Sequence, residues 1–115
     1  MTVYEPGDVI LVPYPFGERA GGRKRPVLVI SSREHNEGTG ELVVAQITSR
    51  VSSSPRMGDY HIAEWRQANL PRPALVRGRL ASVEALLVLR KLGRMSESDL
   101  RSAMAALQSL FVRLD

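Results

Sequence analysis

The chain has 115 residues, room for one domain (1–115) around one hydrophobic core, because compact domains usually run to about 100–150 residues. Apolar residues at 43% and charged residues at 24% are ordinary for a globular protein, and the absence of cysteine excludes disulfides, thiolate nucleophiles and thiolate metal sites. The formal charge is +4 and 14 of the 16 cations are arginine, whose planar fork of donors suits phosphate, so nucleic acid leads the partner classes; the bland alternative is a GC-rich genome that writes arginine for lysine throughout.

No apolar run approaches the ~18 residues that span a bilayer, and "MTVYEPGD" lacks the basic and apolar parts of a signal peptide. A cytoplasmic protein with no membrane partner is expected.

In chain order, "DVILVPYP" (8–15) is β-rich and bounded by Gly7 and "FGERAGGRK", which predicts a strand followed by a long loop with a functional surface. "RPVLVIS" is almost continuously apolar, as in a strand buried on both sides. "REHNEGTGE" reads as a polar turn punctuated by Gly38 and Gly40. "ELVVAQIT" (41–48) is the third strand, and the serine-rich "SRVSSSPRMG" a flexible loop. "DYHIAEW" is a weaker strand, "ALVR" a short one entered through two prolines, and "LLVLRKLG" closes the β part. At Ser96 the period changes. Leu100, Ala103, Met104, Leu107, Phe111 and Leu114 fall at helical spacing, with Ser96 as N-cap and Glu97 and Asp99 in the first turn, where the helix dipole favours acids. Five or more short strands and one terminal helix predict a mainly β fold, a small, strongly bent antiparallel barrel.

The chemistry narrows by elimination. His35 and His61 stand 26 positions apart with no cysteine to complete a tetrahedral set, so no metal is expected. "GERAGGRKRP" lacks the Walker spacing and leads into a strand, and no Gly-x-Ser-x-Gly elbow occurs. Arginine and hydroxyl remain. That pair suits a phosphodiester, because guanidinium neutralises the charge of the transition state, a hydroxyl donates to it, and RNA brings its own 2′-OH nucleophile. In "RKRPVLVISS" Pro26 restricts Arg25 to extended backbone, which aims its fork instead of leaving it to sample solvent. Each feature also has a plainer reading: Arg25 as a solvated strand-end charge, Thr48 as β-propensity, Arg77 and Arg79 as a basic patch, Gln46 as a satisfied sheet residue, Trp65 as packing and not a base-stacking platform.

"GDVILVPYPF", a polar loop, "RKRPVLVISS", "LVVAQITS", "PALVR" and "LRKLGRMSESDL" occur in the order that resembles the MazF/PemK family of toxin endoribonucleases from type II toxin–antitoxin pairs. The resemblance implies an SH3-like barrel of the CcdB/MazF kind with a C-terminal helix, acting as a homodimer that cuts single-stranded RNA to 2′,3′-cyclic phosphate and 5′-hydroxyl ends without a cofactor. It puts the catalytic pair on Arg25 and Thr48, with Arg77 as a second cation near the leaving group. Glu18, Arg23, Lys24, Gln46, Ser49, Arg50 and Arg79 are the expected RNA contacts, and a cognate antitoxin with an acidic, disordered segment is the expected protein partner. Arg79 stands where plasmid-borne relatives carry an aspartate proposed as the base, which leaves Glu18 or water for that role. The alternative is a non-catalytic protein of the same fold, either a gyrase poison or a homologue that binds RNA or antitoxin without cutting.

Overall fold

The computed structural model describes residues 2–13 and 24–114; Tyr14, Phe16, Glu18 and Arg23 lie outside the described residues. The elements are β1 (Asp8–Val12), β2 (Arg25–Val29), α1 (Arg33–Thr39), β3 (Glu41–Thr48), β4 (Tyr60–His61), β5 (Leu75–Glu84), a 3-10 turn (Ala85–Leu87), β6 (Arg90–Arg94) and α2 (Glu97–Gln108). All strand pairs are antiparallel and form one six-stranded sheet in the order β4-β5-β3-β2-β1-β6, curled into a half-barrel.

Alternation along the strands produces two cores. Val9, Leu28, Ala45, Ile47 and Val76 share one cluster with Ala103 and Leu107 of α2. Ile10, Val12, Val27, Val29, Leu42, Val44 and Val83 form the other. Neighbours such as Val9 and Ile10, or Val27 and Leu28, thus fall on opposite faces, which is why the central strands read as unbroken apolar runs. Each fully buried aliphatic side chain contributes about 1.5–3 kcal/mol relative to exposure.

The curl leaves β4 and β6 as the two ends of the sheet, and the segment 61–70 spans the gap between them. Asn69, in the left-handed region at φ 64, donates from Nδ2 to Leu92 O of β6 at 2.8 Å. Gly93 permits this approach, because a Cβ there would lie 2.6 Å from Ala68 O. The same segment is tied to α2 by Asp99, 1% exposed, whose carboxylate accepts from the Tyr60 hydroxyl, from Ala63 N at 3.0 Å and from Glu64 N at 2.8 Å. Asp99 is therefore a bridge as well as a dipole-favoured acid. Across the β1–β6 seam, fully buried Asp8 meets Arg94 Nη1 at 2.9 Å and Lys91 Nζ at 3.1 Å.

The sequence reading departs from the fold at five places, one of them "DYHIAEW", which is strand only at Tyr60–His61. "REHNEGT" is a short helix, not a turn: Ser32 Oγ accepts from His35 N, and Gly40, at φ 73, ends it with its N–H on Asn36 O. At seven residues with only Asn36 buried, α1 carries no apolar period to read. β5 runs for ten residues, well past "ALVR", because its pairing with β3 resumes beyond an irregularity. "LLVLRKLG" begins as the 3-10 turn, with Leu86 92% exposed, before β6 starts at Arg90. Phe111 and Leu114, 63% and 88% exposed, leave the predicted stripe because α2 stops at Gln108 and the chain turns; Leu110 packs on the core instead. Ser96, by contrast, caps α2 as expected, accepting from Asp99 N at 3.1 Å. Among the described residues no helix is long and apolar enough to cross a membrane.

Two predictions follow from the bridge between the sheet ends. Gly93→Ala should cost about 1–3 kcal/mol by forcing backbone apart, read as a lower midpoint in thermal or denaturant unfolding. Burial pushes the Asp99 carboxyl up, but hydrogen bonds from Tyr60 and the Glu64 and Ala63 amides outweigh it and hold the group below its ordinary range. A carboxyl held low in the folded state takes up its proton at higher pH when unfolded. Its stabilising contribution is complete above about pH 4 and is lost as the pH falls further. Asp99→Ala should cost about 3 kcal/mol near neutrality by stranding its donors, and should flatten the acid limb of stability measured against pH.

Candidate functional site

Toward one end of the sheet, the face that carries Val27, Val29 and Val44 turns from apolar to polar. Val27 pairs with Gln46 across β2 and β3, and just past that pair Arg25 and Thr48 both line one cleft. Period-two alternation keeps Arg25 on the face of Val27, and Gln46 and Thr48 on the face of Val44. Arg25 also pairs with Val12 of β1, so the strand that presents it is flanked on both sides.

β5 supplies the next two cations through an irregularity in its ladder. Ala45 pairs with Leu80 but Gln46 pairs with Arg77, which leaves Gly78 and Arg79 as extra residues on β5. Such a bulge re-aims side chains locally, and Arg77 and Arg79 both line one cleft. Gly78 suits the position, because a Cβ would lie 2.7 Å from Leu110 Cδ1, packed there from just beyond α2.

The cleft measures about 110 Å³ and is lined by Arg25, Gln46, Thr48, Arg50, Arg56, Arg77 and Arg79. At roughly 30 Å³ per water molecule, it has the dimensions of a phosphate group with a little solvent. Thr48 Oγ1 accepts from Arg50 N at 3.2 Å, so the hydroxyl is oriented by the start of the following loop while its proton remains to donate. The Nε of Arg25 is buried and has no hydrogen-bond partner among the described residues. A buried donor left so is uncommon and costly. Arg79 is exposed and engaged in an interaction of its own.

Arg77 is held most firmly. Its Nε donates to Asp59 Oδ1 at 3.0 Å and its Nη2 to Asp59 Oδ2 at 2.9 Å, with both side chains 7% exposed. Nη2 also reaches Ser53 Oγ at 3.1 Å. The Arg77 hydrogen bonds hold the Asp59 carboxyl below its ordinary range, and the same bonds push the guanidinium higher still. Arg77 therefore stays a cation and Asp59 an anion across all ordinary pH.

Of the residues singled out from sequence, the cleft gathers Arg25, Gln46, Thr48, Arg50, Arg77 and Arg79. Lys24 and Ser49 are exposed and outside its lining, and Glu18 and Arg23 are outside the described residues. Sequence reasoning missed Arg56 and Asp59. Both come from the loop before β4, and no local pattern marks Asp59, since its partner lies 18 positions on. Trp65 packs on the first core with the Arg66 guanidinium 4.5 Å over its ring, which covers one stacking face. Among the described residues no three His, Asp or Glu side chains come together in a way that could hold a metal ion.

A larger cleft, about 700 Å³, lies away from these arginines, between the N-terminal segment, α1 and the 3-10 turn. Its charged lining is Glu37 and Glu84, the wrong sign for a polyanion. Electrostatics favours the smaller cleft.

The fold is found again in solved structures. A mycobacterial endoribonuclease in complex with its cognate antitoxin superimposes with a TM-score of 0.75 at 15% identity, over 97% of this chain and 99% of that one. MazF in a MazE–MazF complex from Deinococcus radiodurans gives 0.72 at 20% identity, over 96% of each chain. The Mycobacterium tuberculosis toxin MazF-mt6 gives 0.68 at 15% identity, over 89% of this chain and 93% of that one. No curated protein sequence matches. At these identities the likeness shows the fold alone; the family comes from the sequence, which matches the description "PemK-like, MazF-like toxin of type II toxin-antitoxin system" over residues 5–111. With that match spanning nearly the whole chain, and with the sheet and terminal helix that the structural neighbours share, the protein belongs to the PemK-like, MazF-like toxin family of type II toxin–antitoxin systems.

Proposed function

We propose that this toxin is a metal-independent, sequence-specific endoribonuclease that cleaves single-stranded RNA in the cytoplasm. The observation that carries the reading is the arginine cleft, lined by Thr48 and by Arg25, whose buried Nε has no partner among the described residues. The RNA 2′-oxygen attacks the adjacent phosphorus as its proton leaves, the P–O5′ bond breaks, and the 5′-oxygen takes up a proton. A 2′,3′-cyclic phosphate and a 5′-hydroxyl result. Arg25 clamps the charge that builds on the phosphoryl oxygens, Thr48 donates to them, and Arg77 stabilises the side of the leaving oxygen.

Lys24, Gln46, Ser49, Arg50 and Arg79, with Arg23 and Glu18 from the first loop, contact RNA on either side of the scissile linkage. Both oxygens of Asp59 are engaged by Arg77 and the loop backbone, so the base is Glu18 or water. A homodimer joins two shallow clefts into a longer groove. The mycobacterial and deinococcal neighbours are described in complexes with their antitoxins; here an acidic antitoxin segment competes with RNA for the same cations. The engaged Asp59 and the arginine at position 79 also favour a second reading, a homologue that binds RNA or antitoxin and does not cut.

Incubating the purified protein with a long RNA in EDTA separates the two. Cuts with 5′-hydroxyl ends, slowed about 10²–10³-fold by Arg25→Ala and less by Thr48→Val, are the expected result; intact RNA favours the binder. A titration of salt against affinity for a non-cleavable oligonucleotide probes the cations separately. Each phosphate contact adds about 0.7 to the slope of log affinity against log salt, so Arg50→Ala should lower that slope by about this amount.

A further inference from the structure

A carboxylate beside a cleft meant for a polyanion, paired with one of its lining arginines, needs a reason, because its charge opposes the ligand. Asp59 contributes no free edge. Oδ1 accepts from Arg77 Nε at 3.0 Å, and Oδ2 from both Arg77 Nη2 and the Arg56 amide, each at 2.9 Å. With both oxygens taken, and the group held below the usual carboxylate range by those hydrogen bonds, it is a poor proton acceptor. What the arrangement does is geometric. Ser53, which accepts from Arg77 Nη2 at 3.1 Å, donates to Arg50 O at 2.8 Å, so the loop that delivers Arg50 and Arg56 is tied to β5 through one guanidinium. Arg77 is left with Nη1 as the nitrogen that has no partner among the described residues.

We propose that Asp59 is a positioning residue: it fixes Arg77 and the Arg50–Arg56 loop so that a single guanidinium nitrogen, Nη1, is presented to the phosphodiester, and it accepts weaker RNA binding in exchange for aim. The proposal rests on the endoribonuclease reading for its kinetic consequence and on geometry alone for the fixing of Arg77. It sets two effects of one substitution in opposite directions. Asp59→Asn removes a charge that repels RNA and also loosens Arg77. Affinity for a non-cleavable 2′-deoxy-substituted oligonucleotide should rise a few-fold, while single-turnover cleavage should fall by about 10²-fold, the scale of a misplaced reacting group. A bystander carboxylate would give the first effect without the second.

The test uses full-length protein. In an Arg77→Gln background, Asp59→Asn should change cleavage less than about twofold, because the two residues act as one unit. Cleavage by Asp59→Asn as fast as wild type, or losses that multiply in the double variant, would overturn the proposal. Should Asp59→Asn fail to fold, the wild-type protein decides by NMR. The Arg77 Nε–H resonance, assigned by its loss in Arg77→Lys, should exchange slowly with solvent, and fast exchange overturns the proposal. Wild-type protein that leaves RNA intact counts against the endoribonuclease reading, while the exchange and affinity measurements still decide the role of Asp59.

Discussion

Between β2 and β3 the antiparallel register sets Val27 against Gln46, and just past that pair Arg25 and Thr48 both reach the cleft. A slip of one residue would turn Arg25 toward the core beneath α2 and put Lys24 or Pro26 in its place. The valines of the same face resist that slip, since Val27, Val29 and Val44 are fully buried and would all change sides together. Packing at one end of the sheet thereby sets the geometry of the polar groups at the other.

Concentrating guanidinium groups in so small a volume is costly, and the three most buried carboxylate partnerships show how the fold manages charge. Asp8 pairs with two cations of β6, Lys91 and Arg94, at the seam with β1. Asp99 gathers hydroxyl and amide donors to fasten α2 across the gap between the sheet ends. Asp59 alone lies beside the cleft, and its bidentate pair with Arg77 is buried enough that losing either partner leaves an uncompensated charge, a defect of about 3–5 kcal/mol. Structural ion pairing and the electrostatics of the site thus share one residue.

The bulge in β5 is the other device. Two extra residues between Arg77 and Leu80 let Arg77 and Arg79 line the same cleft, at the cost of a glycine between them and of a leucine beyond α2 to pack against it. Helix and cleft are coupled through that contact. The C-terminal segment thus supports the site from behind without contributing a lining residue.

Much of this was legible in the chain itself. Apolar runs marked β1, β2 and β3, with β3 read to its observed ends, because burial on one or both faces is written directly into residue order; Ser96 marked the start of α2, because a capping hydroxyl bonds only three residues away. Arg25 stood out as a cation restricted by Pro26 at the start of an apolar strand, and Thr48 only through the resemblance to the MazF/PemK family. Short α1 and the full length of β5 were not legible, since neither follows from a local period. Asp59 was hidden altogether, because a carboxylate 18 positions from its guanidinium looks like any loop acid until the sheet brings them together. Sequence alone determined which segments must be buried and which polar side chains interrupt them. Only tertiary structure decided which of those charges meet, because pairing across a curled sheet depends on register and on a bulge that no neighbouring residue announces.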